Sequence, residues 1–411
     1  MIVRYVGGLT ARRVIVCGAV LLAVQALALG YLVAGAYGVV TRYAPSTVSF
    51  VTFYAAGQLA TDGHPLFAYD DVFAYEAEEA LTQQGVHYLP FLNPPVYLLL
   101  CAPLALLSFL PAFILFVAAT LAIYLVVVRR ILDVRGHAWL LPALAFPPTI
   151  WTVGYGQNSF LTAALFGAGT LLVDRRPAAA GVLFGMLCYK PQFALLVPVA
   201  LLAGRRWSAI IAATASIIIL CGLSIMLFGW ETWEAYLRAF FGSTRTYNFE
   251  ITNFNIFASL SPFATARLLG LSIEHARIVQ LAATLVAALL VAWVWSTKTT
   301  RATRAAVLTA GTLIAVPYAL LYDLTIAAIA GAWLIRAGRD SGFLRWEKPL
   351  LATAYLMPLF AFQAGLVSHL PFAPLASIIL VVLCGLRAWQ EYKGRRGRYH
   401  FPPVGSSKAA G

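Results

Sequence analysis

Charge is what this 411-residue chain has least of. Asp, Glu, Lys and Arg together make up 11% of it, where a soluble globular protein carries about a quarter. Too little polar surface remains to cover two or three soluble domains of the size that the length would otherwise suggest. Cysteine is also scarce. The five residues Cys17, Cys101, Cys188, Cys221 and Cys384 fall inside or beside apolar runs, with neither zinc-ligand spacing nor an exposed loop between them. That excludes a disulfide framework and a zinc module. No internal repeat is visible, and the six histidines have no partners at metal-ligand spacing. The net charge of +13 sits on no separate soluble domain, so it is not the basic face of a nucleic-acid binder.

Apolar residues, by contrast, make up 61% of the chain, and mean hydropathy is +0.81. Residues 14–36, 209–228, 279–295 and 350–366 form near-continuous apolar runs, close to the ~20 residues that a spanning helix needs. One such run could be a core helix of a soluble protein; a chain full of them cannot. The composition specifies an all-α polytopic membrane protein crossing the bilayer about ten to twelve times. The first run exceeds a signal-peptide core in length, which favours an uncleaved signal anchor, although Ala34-Gly35-Ala36 resembles a cleavage site.

The basic residues lie between the apolar runs, at Arg12-Arg13, Arg129-Arg130, Arg175-Arg176, Arg205-Arg206, Lys298/Arg301/Arg304, Arg336/Arg339/Arg345/Lys348 and from Arg387 to Arg398. Short loops rich in Lys and Arg stay cytoplasmic. This places the N-terminus inside and residues 37–92 outside, with a second outer segment at about 230–270 and a basic cytoplasmic tail at 391–411 behind a single membrane domain, 1–390. The first outer segment holds two helix-like stretches. One runs through Phe50, Phe53 and Tyr54 and suits the headgroup plane. The other begins at Asp70 or Asp71 and reads as a solvated face carrying Glu76, Glu78 and Glu79. Trp230, Trp233, Leu237 and Phe240 recur at helical spacing in the second segment, whose Arg238, Arg245 and Arg267 run against the positive-inside trend. Cations there suit an anionic lipid partner. Between 94 and 206, breaks at Gly156-Gln157-Asn158 and Tyr189-Lys190-Pro191-Gln192 allow either full crossings or pairs of short helices meeting inside the membrane.

In such a chain the informative residues are polar ones where lipid should be, because an ionisable group at mid-bilayer costs ~2.5–3.5 kcal/mol. Lys190 is the only charged residue between Arg176 and Arg205, and it precedes a helix-breaking proline. Snorkelling to an interface is the plain alternative, but both arginine pairs are too distant to share that interface. Asp323 lies inside the apolar stretch 305–335, past the break at Pro317; a structural carboxylate paired with a buried cation or tyrosine is its alternative. Gln157 and Asn158 suit a helix cap as well as a ligand. Asp70 suits an N-cap as well as a base, and His64 reads as a loop residue.

These fragments, taken in order, resemble glycosyltransferase family 87, whose members are membrane enzymes of the GT-C fold. The residues that carry the resemblance are Phe50-Val51-Thr52-Phe53-Tyr54-Ala55-Ala56-Gly57, Gly63 with Ala68-Tyr69-Asp70, Asn93-Pro94-Pro95 and Gly156-Gln157-Asn158. Further along come Ala180-Gly181 with Tyr189-Lys190-Pro191, Arg205-Arg206-Trp207, and Pro317-Tyr318 with Tyr322-Asp323-Leu324. The resemblance implies a GT-C-type bundle, with interfacial helices in the first outer loop, in a bacterial-type cytoplasmic (plasma) membrane. It implies inverting transfer of a hexose, mannose or glucose, from a polyprenyl-phosphate donor to a lipid or glycan acceptor on the outer face. No cofactor or metal is required. Such a step needs a carboxylate to take the acceptor proton and a cation for the leaving phosphate. Lys190, Gln157, Asn158, Gln192, Tyr322, Arg238 and Arg245 are the candidates for the donor phosphate, and Tyr54, His64 and Asn93 for the acceptor or sugar. The family's presumed base, an aspartate just before the Phe-containing motif, is Ser49 here, which leaves Asp70 or Asp323 to act. Two other readings stay open: a transporter with a Lys190/Asp323 polar core, and an inactive scaffold that binds the lipid phosphate.

Overall fold

The computed structural model describes residues 11–34, 48–82, 89–246 and 253–398, and is built of helices throughout. The first helices are α1 (Ala11–Ala34), α2 (Val48–Thr61), α3 (Asp71–Thr82), α4 (Leu98–Ala105), α5 (Phe109–Leu132), α6 (Leu140–Leu144), α7 (Pro147–Tyr155) and α8 (Ser159–Leu172). Then come α9 (Pro177–Gly185), α10 (Val197–Ala203), α11 (Trp207–Phe228), α12 (Trp230–Thr246), α13 (Asn253–Ala258), α14 (Pro262–Leu268) and α15 (Ile273–Ser296). The last are α16 (Arg301–Ala315), α17 (Thr325–Ser341), α18 (Glu347–Ser368) and α19 (Leu375–Arg398). Among the described residues six helices are long and apolar enough to cross a bilayer, and five shorter apolar helices accompany them. Six full-length spans are fewer than the ten to twelve crossings expected from the sequence; the expected number is reached only if the shorter helices are counted as well.

What the helices show to their surroundings fits lipid rather than water. α11 leaves Ile211, Ile218, Ile219, Met226 and Leu227 exposed, and only 6% of its most apolar window is buried against protein. Such a contiguous apolar face does not occur on a soluble monomer of this size. The opposite case is the span Leu321–Ser341, 72% buried, which forms the centre of the bundle. Close packing around that centre relies on small residues, as membrane helices do. A Cβ on Gly181 of α9 would meet the Ala209 carbonyl oxygen of α11 at 2.2 Å, so only glycine allows this contact.

The arginines at or just past the ends of α5, α8 and α10 gather at one end with those of α16 and α17 and with Arg387 of α19. Asp174, just past α8, bridges Arg206 and Arg304. Arg336 of α17 pairs with Asp133 at 3.0 Å and donates to the Ile131 carbonyl at the end of α5. Arg339 donates to the Leu132 carbonyl, and the buried Arg387 of α19 binds Glu347 of α18 through its Nε at 2.8 Å. The pairs at 129–130, 175–176 and 205–206 thus share one face, and the breaks at Gly156 and Lys190 point away from it. From this face α8 runs 14 residues and α16 runs 15 before each is interrupted. At 1.5 Å per residue the interruptions lie roughly 20 Å from the arginines, about two-thirds of the way through a ~30 Å hydrocarbon layer.

α2 differs from its expected place in the headgroup plane. Phe50, Val51, Phe53, Tyr54, Ala55 and Ala56 are all buried, because Phe50 packs on Phe109, Phe113 and Phe116 of α5 while Phe53 packs on Phe91 and Tyr97. A stripe of aromatics that looks one-sided in sequence is clamped on both sides. α12 does leave an apolar face uncovered, with Trp230, Leu237, Phe240 and Phe241 exposed, while its Tyr236 meets Tyr69.

Candidate active site

Three helix breaks meet at one depth. α7 ends at Gly156, whose φ of +62° gives it a left-handed cap. A Cβ there would also stand 2.5 Å from the Cβ of Phe50, so glycine is required twice over. α9 passes through a short 3-10 turn to Lys190, which lies outside the helical region at φ −141°, ψ 64°. Pro191 removes a main-chain donor and prevents continuation. α16 stops before Pro317, and a turn at Leu321–Leu324 leads into α17.

The polar residues of the three breaks bond to one another. Lys190 Nζ lies 2.9 Å from Asp323 Oδ1 and 3.1 Å from Asn158 Oδ1. Asp323 Oδ1 also accepts from the Ser159 hydroxyl at 2.8 Å, and Oδ2 accepts from the Leu320 N–H at 3.1 Å. Lys190 is 9% exposed and Asp323 3%. The counter-ion of the buried ammonium is therefore the chain's own carboxylate. Two of the three ammonium donors are committed, and the third side of the group faces the rings of Phe193, at 4.9 Å, and Tyr322, at 5.9 Å. Asp323 is held as an acceptor by three donors, which suits it to anchoring Lys190.

A second bonded set adjoins the first. Gln157 Nε2 donates to Ser49 Oγ at 2.8 Å, and Asn158, its neighbour, accepts from Lys190. Asn93 Nδ2 donates to the Tyr189 carbonyl at 3.2 Å, and Tyr189 stacks on Tyr97 with centroids 5.1 Å apart. Of the candidates named from sequence, the structure brings Lys190, Asp323, Gln157, Asn158, Tyr322, Asn93 and Ser49 into one neighbourhood. Gln192 follows as a half-buried residue of the turn after Lys190.

The remaining candidates lie apart. Asp70 is exposed, and its Oδ1 accepts from the N–H groups of Val72 and Phe73, which is the N-cap geometry. Tyr54 points the other way from Ser49 and donates to the Leu107 carbonyl at 2.7 Å. His64 is exposed and stacks on Phe67. Arg238 is exposed on α12 beside Glu234, 3.6 Å away. The side chain of Arg245 lies outside the described residues, as do residues 37–47 and 399–411.

One residue was missed. Glu78 of α3, read from sequence as part of a solvated face, is 2% exposed. The Thr52 hydroxyl lies within reach of its carboxylate and 3.3 Å from the Leu89 carbonyl, and the Leu89 N–H points at Glu78. Thr52 stands one helical turn from Ser49 on the same face of α2. Burial pushes the Glu78 carboxyl up to about 7, against the lowering effect of those two donors. The return of the chain at Leu89 buries it, and nothing in the spacing of Glu76, Glu78 and Glu79 announces that.

The model of glycosyltransferase family 87 matches residues 91–321, more than half of the chain, from just before Asn93 to just before Tyr322. No curated protein and no solved structure matches. Asn93, Gln157, Asn158, Tyr189 and Lys190 fall inside the matched span, while Ser49 lies upstream of it and Tyr322 and Asp323 lie just beyond its end; with more than half of its length matched, the chain belongs to glycosyltransferase family 87.

Proposed function

We propose that this membrane glycosyltransferase moves a hexose from a polyprenyl-phosphate carrier to a lipid or glycan acceptor, with inversion, at the face opposite the arginines. The observation that carries the reading is the ammonium of Lys190, fixed at a triple helix break by Asn158 and Asp323. In the proposed step the acceptor oxygen attacks the anomeric carbon as the bond from that carbon to the phosphate oxygen breaks. The phosphate leaves with the electron pair, and Lys190 stabilises its developing charge. The fixed Asp323 keeps the ammonium oriented before the donor arrives, which avoids reorganisation during the reaction.

The acceptor proton requires a base. A neutral Ser49 hydroxyl cannot take up a second proton, Asp323 is engaged by Lys190, Ser159 and the Leu320 N–H, and Asp70 caps α3. Glu78 stands next to the Ser49–Thr52 face with its carboxyl at about 7, the value at which a general base works best near neutral pH. We assign it that role. A buried Lys–Asp pair would also serve a transporter, but membership of a glycosyltransferase family favours transfer.

The test is turnover by purified protein in vesicles, given labelled polyprenyl-phosphate hexose with crude lipid and glycan acceptors. Labelled product of inverted configuration, together with free polyprenyl phosphate, is expected. Donor binding without any product supports a scaffold, and uptake into sealed vesicles supports a transporter; either result ends the transferase reading.

A further inference from the structure

At the arginine-rich end, far from the site above, a cavity of about 180 Å³ opens between the start of α16 and the last turns of α17. It is well above the ~10–15 Å³ that admits one water, so a hydrated oxyanion fits within it. Its polar lining is Thr300, Arg301, Arg336, Asp340 and Ser341, with Trp333 as the apolar wall.

Arg301 is the unusual member. Arg206 and Arg304 share Asp174, Arg336 has Asp133 and Asp340, and Arg387 has Glu347. Among the described residues Arg301 pairs with no carboxylate. Its guanidinium lies over the Trp333 ring at 5.4 Å, and NH1 reaches the Leu171 carbonyl at 3.4 Å. Of the charges acting on it, Arg336, Arg175 and Arg304 repel, and only Asp174, already shared by two other arginines, attracts. A half-buried cation held among like charges favours occupation of the adjacent space by an anion. The N-terminus of α16 does not supply that anion's partner, because Glu391 already accepts from the Thr300 N–H at 2.7 Å.

We propose that this cavity binds a phosphate group, with Arg301 as its principal ligand and Arg175, Arg304 and Arg336 supplying the surrounding potential. Arg301 has guanidinium donors left for it, arranged in the planar fork that matches phosphate oxygens. Most donors of Arg336 are taken by Asp133 and by the carbonyls of Arg130 and Ile131, so it contributes charge rather than geometry. Asp340 opposes the anion from the rim, where its side chain is 66% exposed. The phosphate can belong to an anionic lipid headgroup of the adjoining leaflet or to a free ion.

The sources separate in one experiment. Thermal unfolding of the full chain is followed with inorganic phosphate in detergent, and in nanodiscs of phosphatidylcholine with and without phosphatidylglycerol. Stabilisation of the wild type is expected, with the half-saturating phosphate or phosphatidylglycerol at least tenfold higher in Arg301→Gln and unchanged in the exposed Arg176→Gln. A response to phosphatidylglycerol alone identifies a lipid site, and one to phosphate alone a free-ion site; both support the cavity. Asp340→Asn, at a position whose side chain is 66% exposed, is expected to bind several-fold more tightly. The proposal is overturned if wild type and Arg301→Gln respond alike. It is overturned equally if Arg301→Gln does not fold and Asp340→Asn leaves the response unchanged.

Discussion

Glu78→Gln is expected to make the protein more stable and its chemistry slower, and the size of each effect follows from where the carboxyl sits. Its pKa lies at about 7 instead of 4.5. A raised folded-state value means that the folded chain holds the proton more tightly than the unfolded chain. The contribution to stability is therefore full below about 4.5 and is lost as pH rises toward 7. The displacement corresponds to about 3 kcal/mol at alkaline pH, at 1.36 kcal/mol per unit. Glutamine removes the buried charge while keeping an oxygen that can accept from the Leu89 N–H. Thermal unfolding of wild type and variant, followed by intrinsic fluorescence in detergent, should coincide near pH 4.5 and diverge by up to that amount above pH 7, the variant unfolding later. The same substitution should lower kcat by ~10²–10⁴ with little change in KM, and wild-type kcat should itself fall as pH drops below about 7. Equal stability at alkaline pH refutes the burial argument, and an undiminished kcat refutes the assignment of the base.

Three further outcomes are expected. Lys190→Met or Asp323→Asn alone should each lose about 3–5 kcal/mol, because either leaves a buried charge or polar group without its partner. The double variant Lys190→Met/Asp323→Leu should recover most of that stability without transfer activity; a double variant that still transfers removes the ammonium from the chemistry. Asp70→Ala should lose ~1 kcal/mol with the α3 cap and keep its turnover, as read from unfolding and rate measured on one preparation. Ser49→Asp in the Glu78→Gln background should restore part of the lost rate, with the acidic limb of the pH profile moved downward; no restoration separates Ser49 from the proton path.

How much of this the sequence disclosed depends on the kind of interaction. Lys190 and Asp323 stand out because each is an ionisable residue in an apolar run next to a proline, and local chemistry is enough to mark them. Their pairing is not marked, since 133 positions separate them and no helical period relates α9 to the turn before α17. The same holds for Ser49 and Gln157, 108 positions apart. Glu78 escaped notice because a helix carrying Glu76, Glu78 and Glu79 reads as solvated whenever the segment that returns over it cannot be placed. The sidedness of the arginine pairs was ambiguous between 94 and 206 for a related reason. Counting full-length spans misleads where helices break two-thirds of the way across, and it takes the bridges from Asp174 to Arg206 and Arg304 and from Arg336 to Asp133 to bring the pairs to one face.

The depth of the triple break constrains the donor. With roughly 20 Å of helix behind it, Lys190 would lie on the order of 10 Å beneath the opposite headgroups of a ~30 Å layer that begins at the arginines. On the proposed polyprenyl-phosphate reading, a carrier approaching from there would have to draw its phosphate and sugar below the level at which an ordinary phospholipid keeps its own. Each hydroxyl carried inward gives up water, in surroundings where an electrostatic contact is several times stronger than at the surface. Long, flexible tails that let a headgroup sink without tearing the leaflet would then be a requirement for the substrate, and selection among carriers would begin with how readily they descend.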